Sequence, residues 1–185
     1  MTYAGEYYHV LNRGNGKQKI FFESENYLFF LRKLKKYIQM GQQEVVAYCL
    51  MPNHFHLLLE ETVDMKLQNT MLRLQTSFAK AINKRLGKSG HLFQDTYQKI
   101  LVENNEQLLH LTRYIHMNPV KAGLVTKPEE WQYSSFPDYA GLRRGQLPKM
   151  DIVLGQFESR EAYVEFCLDN DDVDLGELTL ECIRR

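Results

Sequence analysis

Apolar and polar residues alternate with two different periods along the first 120 residues. A period of two predicts strands and a period of about 3.6 predicts helices. The predicted strands are residues 5–13, 44–51, 54–61 and 96–103, and the predicted helices are residues 24–41, about 65–86 and 105–120. A tight turn at Pro52 and Asn53 joins the second and third strands as a hairpin.

Two helices carry side-chain patterns that can be compared with a structure. In the first, Ser24 is the expected N-cap, and Leu28, Leu31, Leu34 and Ile38 recur at helical spacing. The second has an apolar stripe made of Leu67, Met71, Leu74, Phe78 and Ile82. Pro119 is expected to end the third helix.

The order strand, helix, strand, strand, helix, strand and further helix is that of the ferredoxin-like, split βαβ arrangement. It predicts an α+β fold whose antiparallel sheet of four or five strands carries helices on one face. The other face is left available for a site, and the extra helix could cover part of it. We predict a catalytic domain in residues 1–150 and an acidic C-terminal appendage in residues 151–185, where "SREAYVEFCLDN" indicates one more short helix.

Charge is unevenly distributed, although the chain holds 23 Lys+Arg and 23 Asp+Glu. Residues 1–150 contain 20 basic and 13 acidic side chains, whereas residues 151–185 contain 3 and 10. The basic body indicates a polyanionic partner, because cations that neutralise phosphates release condensed counterions. The acidic end is either a solvated tail or a segment that folds over the basic surface and competes with nucleic acid.

Other classes are disfavoured by composition. No apolar run approaches the roughly 20 residues of a membrane helix, and the N-terminus lacks the features of a signal peptide. Cys49, Cys167 and Cys182 are odd in number and lack metal-ligand spacing, which disfavours a disulfide framework or a zinc ribbon. We therefore expect a cytoplasmic protein with no membrane partner.

Two histidines follow the hairpin turn in "MPNHFHLLLE". Alternation along a strand puts His54 and His56 on one face and Phe55, Leu57 and Leu59 on the other, toward the packed helices. The imidazoles either ligate one cation or are polar groups that face solvent. Two histidines do not complete a coordination sphere, so a metal site would need a third ligand.

The stretch "RYIHMNP" offers that ligand. Tyr114 and Asn118 are four residues apart and share a helix face beside Arg113, while His116 points elsewhere. An amide oxygen with two imidazoles suits Mg²⁺ or Mn²⁺ bound to phosphate better than a closed zinc site. Tyr114 stands near whatever such a metal polarises, or is simply a half-buried aromatic at a helix end.

Five motifs in order carry a resemblance to a known family: "GEYYHVLNRGNGKQKIFF", "AYCLMPNHFHLLLE", "GHLFQ", "RYIHMNPVKAGLV" and "WQYSSFPDYAG". Over about residues 3–141 the chain resembles the REP-associated branch of the single-tyrosine HUH transposases. The resemblance implies that His54, His56 and Asn118 bind a divalent metal, Mg²⁺ or Mn²⁺, and that Tyr114 is the nucleophile. Tyr114 would cleave hairpin-bearing single-stranded DNA, which in this branch is a repetitive extragenic palindrome, through a 5′-phosphotyrosine intermediate. That intermediate allows strands to be rejoined without a nucleotide cofactor.

The same resemblance directs attention to cations that could bind the DNA backbone. They are Arg13, Lys17, Lys19, Arg73, Lys80, Lys84, Arg113 and Lys121. Some of these are alternatively only solubilising charges. After "GHLFQ" the family usually continues Gly-Arg-Tyr, whereas this chain has Asp95, Thr96 and Tyr97, which puts the DNA contact of that loop in doubt.

Partners and alternative functions follow from the same motifs. The expected partner is single-stranded or hairpin DNA in a bacterial cytoplasm, at the nucleoid when DNA is bound, and a homodimer is left open. One alternative is a domesticated hairpin-binding protein without cleavage activity. Another is a metal-dependent hydrolase of small phosphoesters.

Overall fold

The fold is taken from a computed structural model that describes residues 5–62 and 66–169. Its strands are β1 (Glu6–Arg13), β2 (Gln43–Met51), β3 (His54–Glu61) and β4 (Gln98–Val102). Its helices are α1 (Ser24–Gly41), α2 (Lys66–Leu86), α3 (Asn105–Lys121), α4 (Phe136–Tyr139), α5 (Asp151–Leu154) and α6 (Arg160–Leu168). Every predicted element is present, with ends that differ from the prediction by at most about two residues.

The four strands form one antiparallel sheet in the order β2-β3-β1-β4. This is the order of the ferredoxin-like arrangement, so the predicted fold class is confirmed. Register places Arg13 opposite His54 and Leu11 opposite His56 across the β1–β3 pair. The start of β3 therefore lies beside the end of the central strand β1.

One face of the sheet packs against α1 and α2. Phe55, Leu57 and Leu59 point into this core, as their alternation predicts, and the predicted apolar stripe of α2 is buried in full. In α1, Leu34 and Ile38 are buried as predicted, but in its first two turns the buried apolar residues are Tyr27 and Phe30, while Leu28 is 45% exposed. Tyr27 stacks on Tyr133 with ring centroids 3.8 Å apart.

The predicted N-cap of α1 was also wrong, although the helix begins at Ser24 as predicted. Glu23 occupies the N-cap position and makes no side-chain hydrogen bond there. The Ser24 hydroxyl instead accepts a hydrogen bond from the Tyr133 hydroxyl at 2.7 Å. A tertiary contact has replaced the local one.

The second face of the sheet is covered by α3. Leu58 of β3 packs in a second core with Leu111 and Ile115 of α3. The sequence pattern leaves this face available, with partial cover by an extra helix, but in the structure helices lie on both faces. α3 also continues through Pro119 to Lys121, so the prediction that Pro119 ends the helix was wrong by two residues.

Residues 151–169 pack into the same second core. Val153 of α5 and Tyr163 and Cys167 of α6 are buried there. The boundary at residue 150 stays a prediction, and residues 170–185, which hold half of the appendage's acidic side chains, lie outside the described residues. No helix within residues 5–62 and 66–169 is long and apolar enough to cross a membrane.

Candidate active site

The turn at Pro52 and Asn53 starts β3 so that its first histidines face α3. The rings of His54 and His56 have centroids 4.9 Å apart and are nearly perpendicular, at 88°. Only 1% of His56 is exposed, because α3 lies over this face. The alternative that both histidines are polar groups facing solvent therefore does not hold for His56.

α3 brings Tyr114 and Asn118 to the same place. The Tyr114 ring lies 5.5 Å from the His56 ring, edge to face. Asn118 donates from Nδ2 to the Tyr114 carbonyl oxygen at 3.0 Å, and its side chain also hydrogen-bonds His54. The four residues singled out in the sequence, from segments sixty residues apart, thus form one cluster.

A third imidazole, which the sequence reading missed, belongs to this cluster. His9 Nε2 lies 2.9 Å from His56 Nδ1, and the two rings stack at 5.1 Å. Both side chains are buried. Alternation along β1 gives His9 and Leu11 one face, and Leu11 pairs with His56, so the strand pairing was the signal that could have revealed it.

The environment keeps the two predicted ligands neutral. Burial, and then the nearby Arg13 charge, lower the pKa of His54 from 6.5 to about 4, against an opposing hydrogen bond with Asn118. Burial, His54 and His9 hold the pKa of His56 well below its usual range. Neutral imidazole is the form that ligates a metal, so no proton has to be displaced at pH 7.

Each of the two imidazoles keeps one ring nitrogen that can ligate a cation. His54 donates from Nδ1 to Asn53 Oδ1 at 2.7 Å, which leaves its Nε2 with a lone pair. His56 Nε2 is buried and has no hydrogen-bond partner among the described residues. A buried polar atom of this kind is uncommon unless an ion or water completes it.

The donor set is mixed. Within the described part of the chain, no group of three or more His, Cys, Asp or Glu side chains could hold a metal ion. Two imidazoles with the Asn118 amide is the set that the sequence predicts, and it suits a metal that keeps open positions for phosphate oxygens. The metal itself stays a prediction.

A groove of about 870 Å³ runs between α2 and residues 90–97. Its wall includes Gln75, Lys80, Phe93, Asp95 and Tyr97. It is tied to the end of β1, since Asn12 donates to Gln75 Oε1 at 2.7 Å and to the Asp95 carbonyl at 3.0 Å. The groove therefore adjoins the end of the sheet where His54 lies, and the loop that departs from the family pattern forms one of its walls.

The predicted DNA-binding cations fall into two groups. Arg13 is buried and donates from Nε to Gln94 Oε1 at 2.6 Å, while Arg113 donates to the Cys167 carbonyl at 3.3 Å and lies over Phe166. These two guanidinium groups hold neighbouring segments in place. The exposed members are Lys17, Lys19, Arg73, Lys80, Lys84 and Lys121.

Comparison with known proteins agrees with the motifs. The family model described as "Transposase IS200 like" matches residues 2–118. A relative from Haemophilus influenzae, provisionally named a REP-associated tyrosine transposase, is 29% identical over 103 residues, which are 50% of this chain. This chain spans only 58% of that relative's length.

A solved structure described as a REP-associated tyrosine transposase bound to a REP hairpin is similar in fold. It matches with a TM-score of 0.62 and 19% identity, over 75% of this chain and 80% of the other. The match covers most of the described residues. The resemblance predicted from the motifs is thereby confirmed at the level of family and fold.

Proposed function

The chain belongs to the IS200-like transposase family, and from this membership and its site we propose a metal-dependent, single-tyrosine enzyme that cleaves hairpin-bearing single-stranded DNA. The observation that carries the proposal is the meeting of Tyr114 and Asn118 from α3 with His54 and His56 from β3. A REP-like hairpin is the proposed substrate, because the similar solved structure is described with one bound.

Tyr114 acts as the nucleophile in this proposal. Its hydroxyl oxygen attacks a backbone phosphorus, the bond from phosphorus to the 3′ oxygen breaks, and a 5′-phosphotyrosine forms. The phenolic proton leaves Tyr114, and the departing 3′ oxygen gains one, so protons balance and no water is consumed. The reverse reaction, with a 3′-OH as the attacking group, rejoins strands.

His54, His56 and Asn118 would hold the divalent metal. When bound, Mg²⁺ or Mn²⁺ draws charge from the scissile phosphate. The helix fixes the spacing between nucleophile and ligand, since Asn118 lies one turn after Tyr114 and bonds to its carbonyl. Both elements belong to packed cores, which limits the movement that would misplace the reacting oxygen.

The groove beside α2 is the proposed path of the single strand. Tyr97, which is half-buried, supplies aromatic surface on which a base can stack, and Lys80 supplies charge for phosphate. Asp95 would repel a phosphate at its own position. We therefore assign stacking to Tyr97 and most of the phosphate contact to the exposed cations of α2.

The test is a covalent adduct on a 3′-labelled hairpin oligonucleotide in the presence of Mn²⁺. Wild-type protein should retain the label through denaturing electrophoresis, and Tyr114→Phe should not. Tyr37→Phe on α1 is the matched control and should form the adduct. An equal adduct with Tyr114→Phe contradicts the proposal; a gel shift without any adduct supports hairpin binding alone, and multiple turnover without an adduct supports phosphoester hydrolysis.

A further inference from the structure

His9 has no role in the proposed chemistry, yet its side chain is hydrogen-bonded to His56. β1 lies between β3 and β4, so the backbone of His9 is paired with Leu58 on one side and Ile100 on the other. The His9 side chain is fully buried and contacts His56 through a 2.9 Å hydrogen bond and a stacked ring. Its position is therefore set by the centre of the sheet.

The hydrogen bond between His9 and His56 contains one proton, which can belong to either ring. If His9 donates, the proton of neutral His56 lies on Nε2, where no described residue accepts it. A buried donor without an acceptor is destabilising. If His56 donates from Nδ1, its Nε2 keeps a lone pair that can face a cation.

The neighbouring histidine has the second of these arrangements already. His54 Nδ1 lies 2.7 Å from the oxygen of Asn53, which can only accept, so the proton is on Nδ1. If the proton of His56 also lies on Nδ1, then His54 and His56 each have a lone pair on Nε2. Ligating histidines generally use one nitrogen for the metal and donate the other to a neighbouring acceptor.

We propose that His9 is a positioning residue for the metal site: its Nε2 accepts a hydrogen bond from the Nδ1–H of His56 and so fixes the tautomer and ring orientation in which His56 Nε2 binds the divalent cation. This inference rests on the proposed function, since it needs the metal. It assigns His9 no contact with DNA or with the reacting phosphate.

Mn²⁺ binding to the DNA-free protein, followed by electron paramagnetic resonance of the free ion, tests the proposal without catalysis. Loss of such an outer partner typically weakens metal binding by about 10- to 100-fold, which is the expected effect of His9→Leu. His9→Gln retains an acceptor oxygen and should bind Mn²⁺ within a few-fold of wild type. His110→Leu on α3 is the control and should leave the affinity unchanged.

A second measurement keeps the proposal testable if His9→Leu fails to fold. Long-range ¹H–¹⁵N spectra of the metal-free wild type should show His56 protonated at Nδ1; a proton at Nε2 overturns the proposal. Equal Mn²⁺ affinity in wild type and a folded His9→Leu also overturns it, while the metal role of His54 and His56 stands. If wild type binds no Mn²⁺, both the inference and the metal role in the proposed function are wrong.

Discussion

Acid should destabilise this fold through His116, the buried histidine on the far side of α3 from the site. Its Nδ1 lies 2.6 Å from the Tyr163 hydroxyl and its Nε2 lies 2.7 Å from Ser135 Oγ. Burial lowers its pKa from 6.5 to about 3. Protonation therefore favours the unfolded chain, and the stability present above pH 6.5 is lost as the pH falls toward 3.

The size of the effect follows from the two pKa values. At pH 5 the unfolded histidine is mostly protonated, whereas His116 in the folded protein stays neutral. At about 1.4 kcal/mol for each pH unit below 6.5, His116 lowers the free energy of unfolding by about 2 kcal/mol between pH 7 and pH 5. His54, whose pKa is lowered to about 4, adds a similar loss in the same window.

The substitution His116→Gln separates the contribution of His116 from the rest. Glutamine keeps polar atoms for Ser135 and Tyr163 but cannot titrate, so the loss between pH 7 and pH 5 should shrink by about 2 kcal/mol. The measurement is urea unfolding of metal-free protein at both pH values, with exposed His91→Gln as the control. A pH dependence equal to that of wild type would refute the reasoning, whatever the variant's stability at pH 7.

Three further results are expected. Deletion of residues 170–185 removes five acidic and two basic side chains and should strengthen DNA binding most at low salt. Unchanged or weaker binding at several salt concentrations would count against a tail that competes with nucleic acid. The deletion starts at residue 170 because Tyr163 is buried in the second core. Lys80→Glu should weaken single-strand binding and flatten its salt dependence, whereas Lys36→Glu on α1 should not. Phe55→Ala should lower the free energy of unfolding by about 3–5 kcal/mol in urea titration, and a loss below 1 kcal/mol would contradict its place in the core.

The sheet and the first two helices were predictable because their signals are local. Alternation in β3 assigned Phe55 and His56 to opposite faces, and the structure agrees. The N-cap of α1 was not predictable in the same way, since Ser24 is engaged by Tyr133 from a segment more than a hundred residues away. Local propensity decides whether a helix or strand forms, while tertiary contacts decide where it ends and which of its residues face the core.

The composition of the site was predictable in part. From spacing alone, His54, His56 and Tyr114 could also have had no role in a site. Only the five motifs in order indicated that residues of β3 and α3 belong to one site. The burial of His56 was missed because it depends on α3 crossing the second face of the sheet, which no period in the sequence encodes. His9 was missed for a related reason, since its partner is set by strand register.

Contacts with residues distant in the sequence also change the role expected for Arg13. Its position in a basic, glycine-punctuated segment favours a phosphate contact, but β1 ends with Arg13 opposite His54, and the guanidinium is bonded to Gln94. There its charge adds to burial in lowering the pKa of His54, and its hydrogen bond to Gln94 holds the loop that forms one wall of the groove. The same repulsion also opposes a divalent cation beside His54, so the role that the contacts support for Arg13 is to hold the loop of Gln94 at the end of β1.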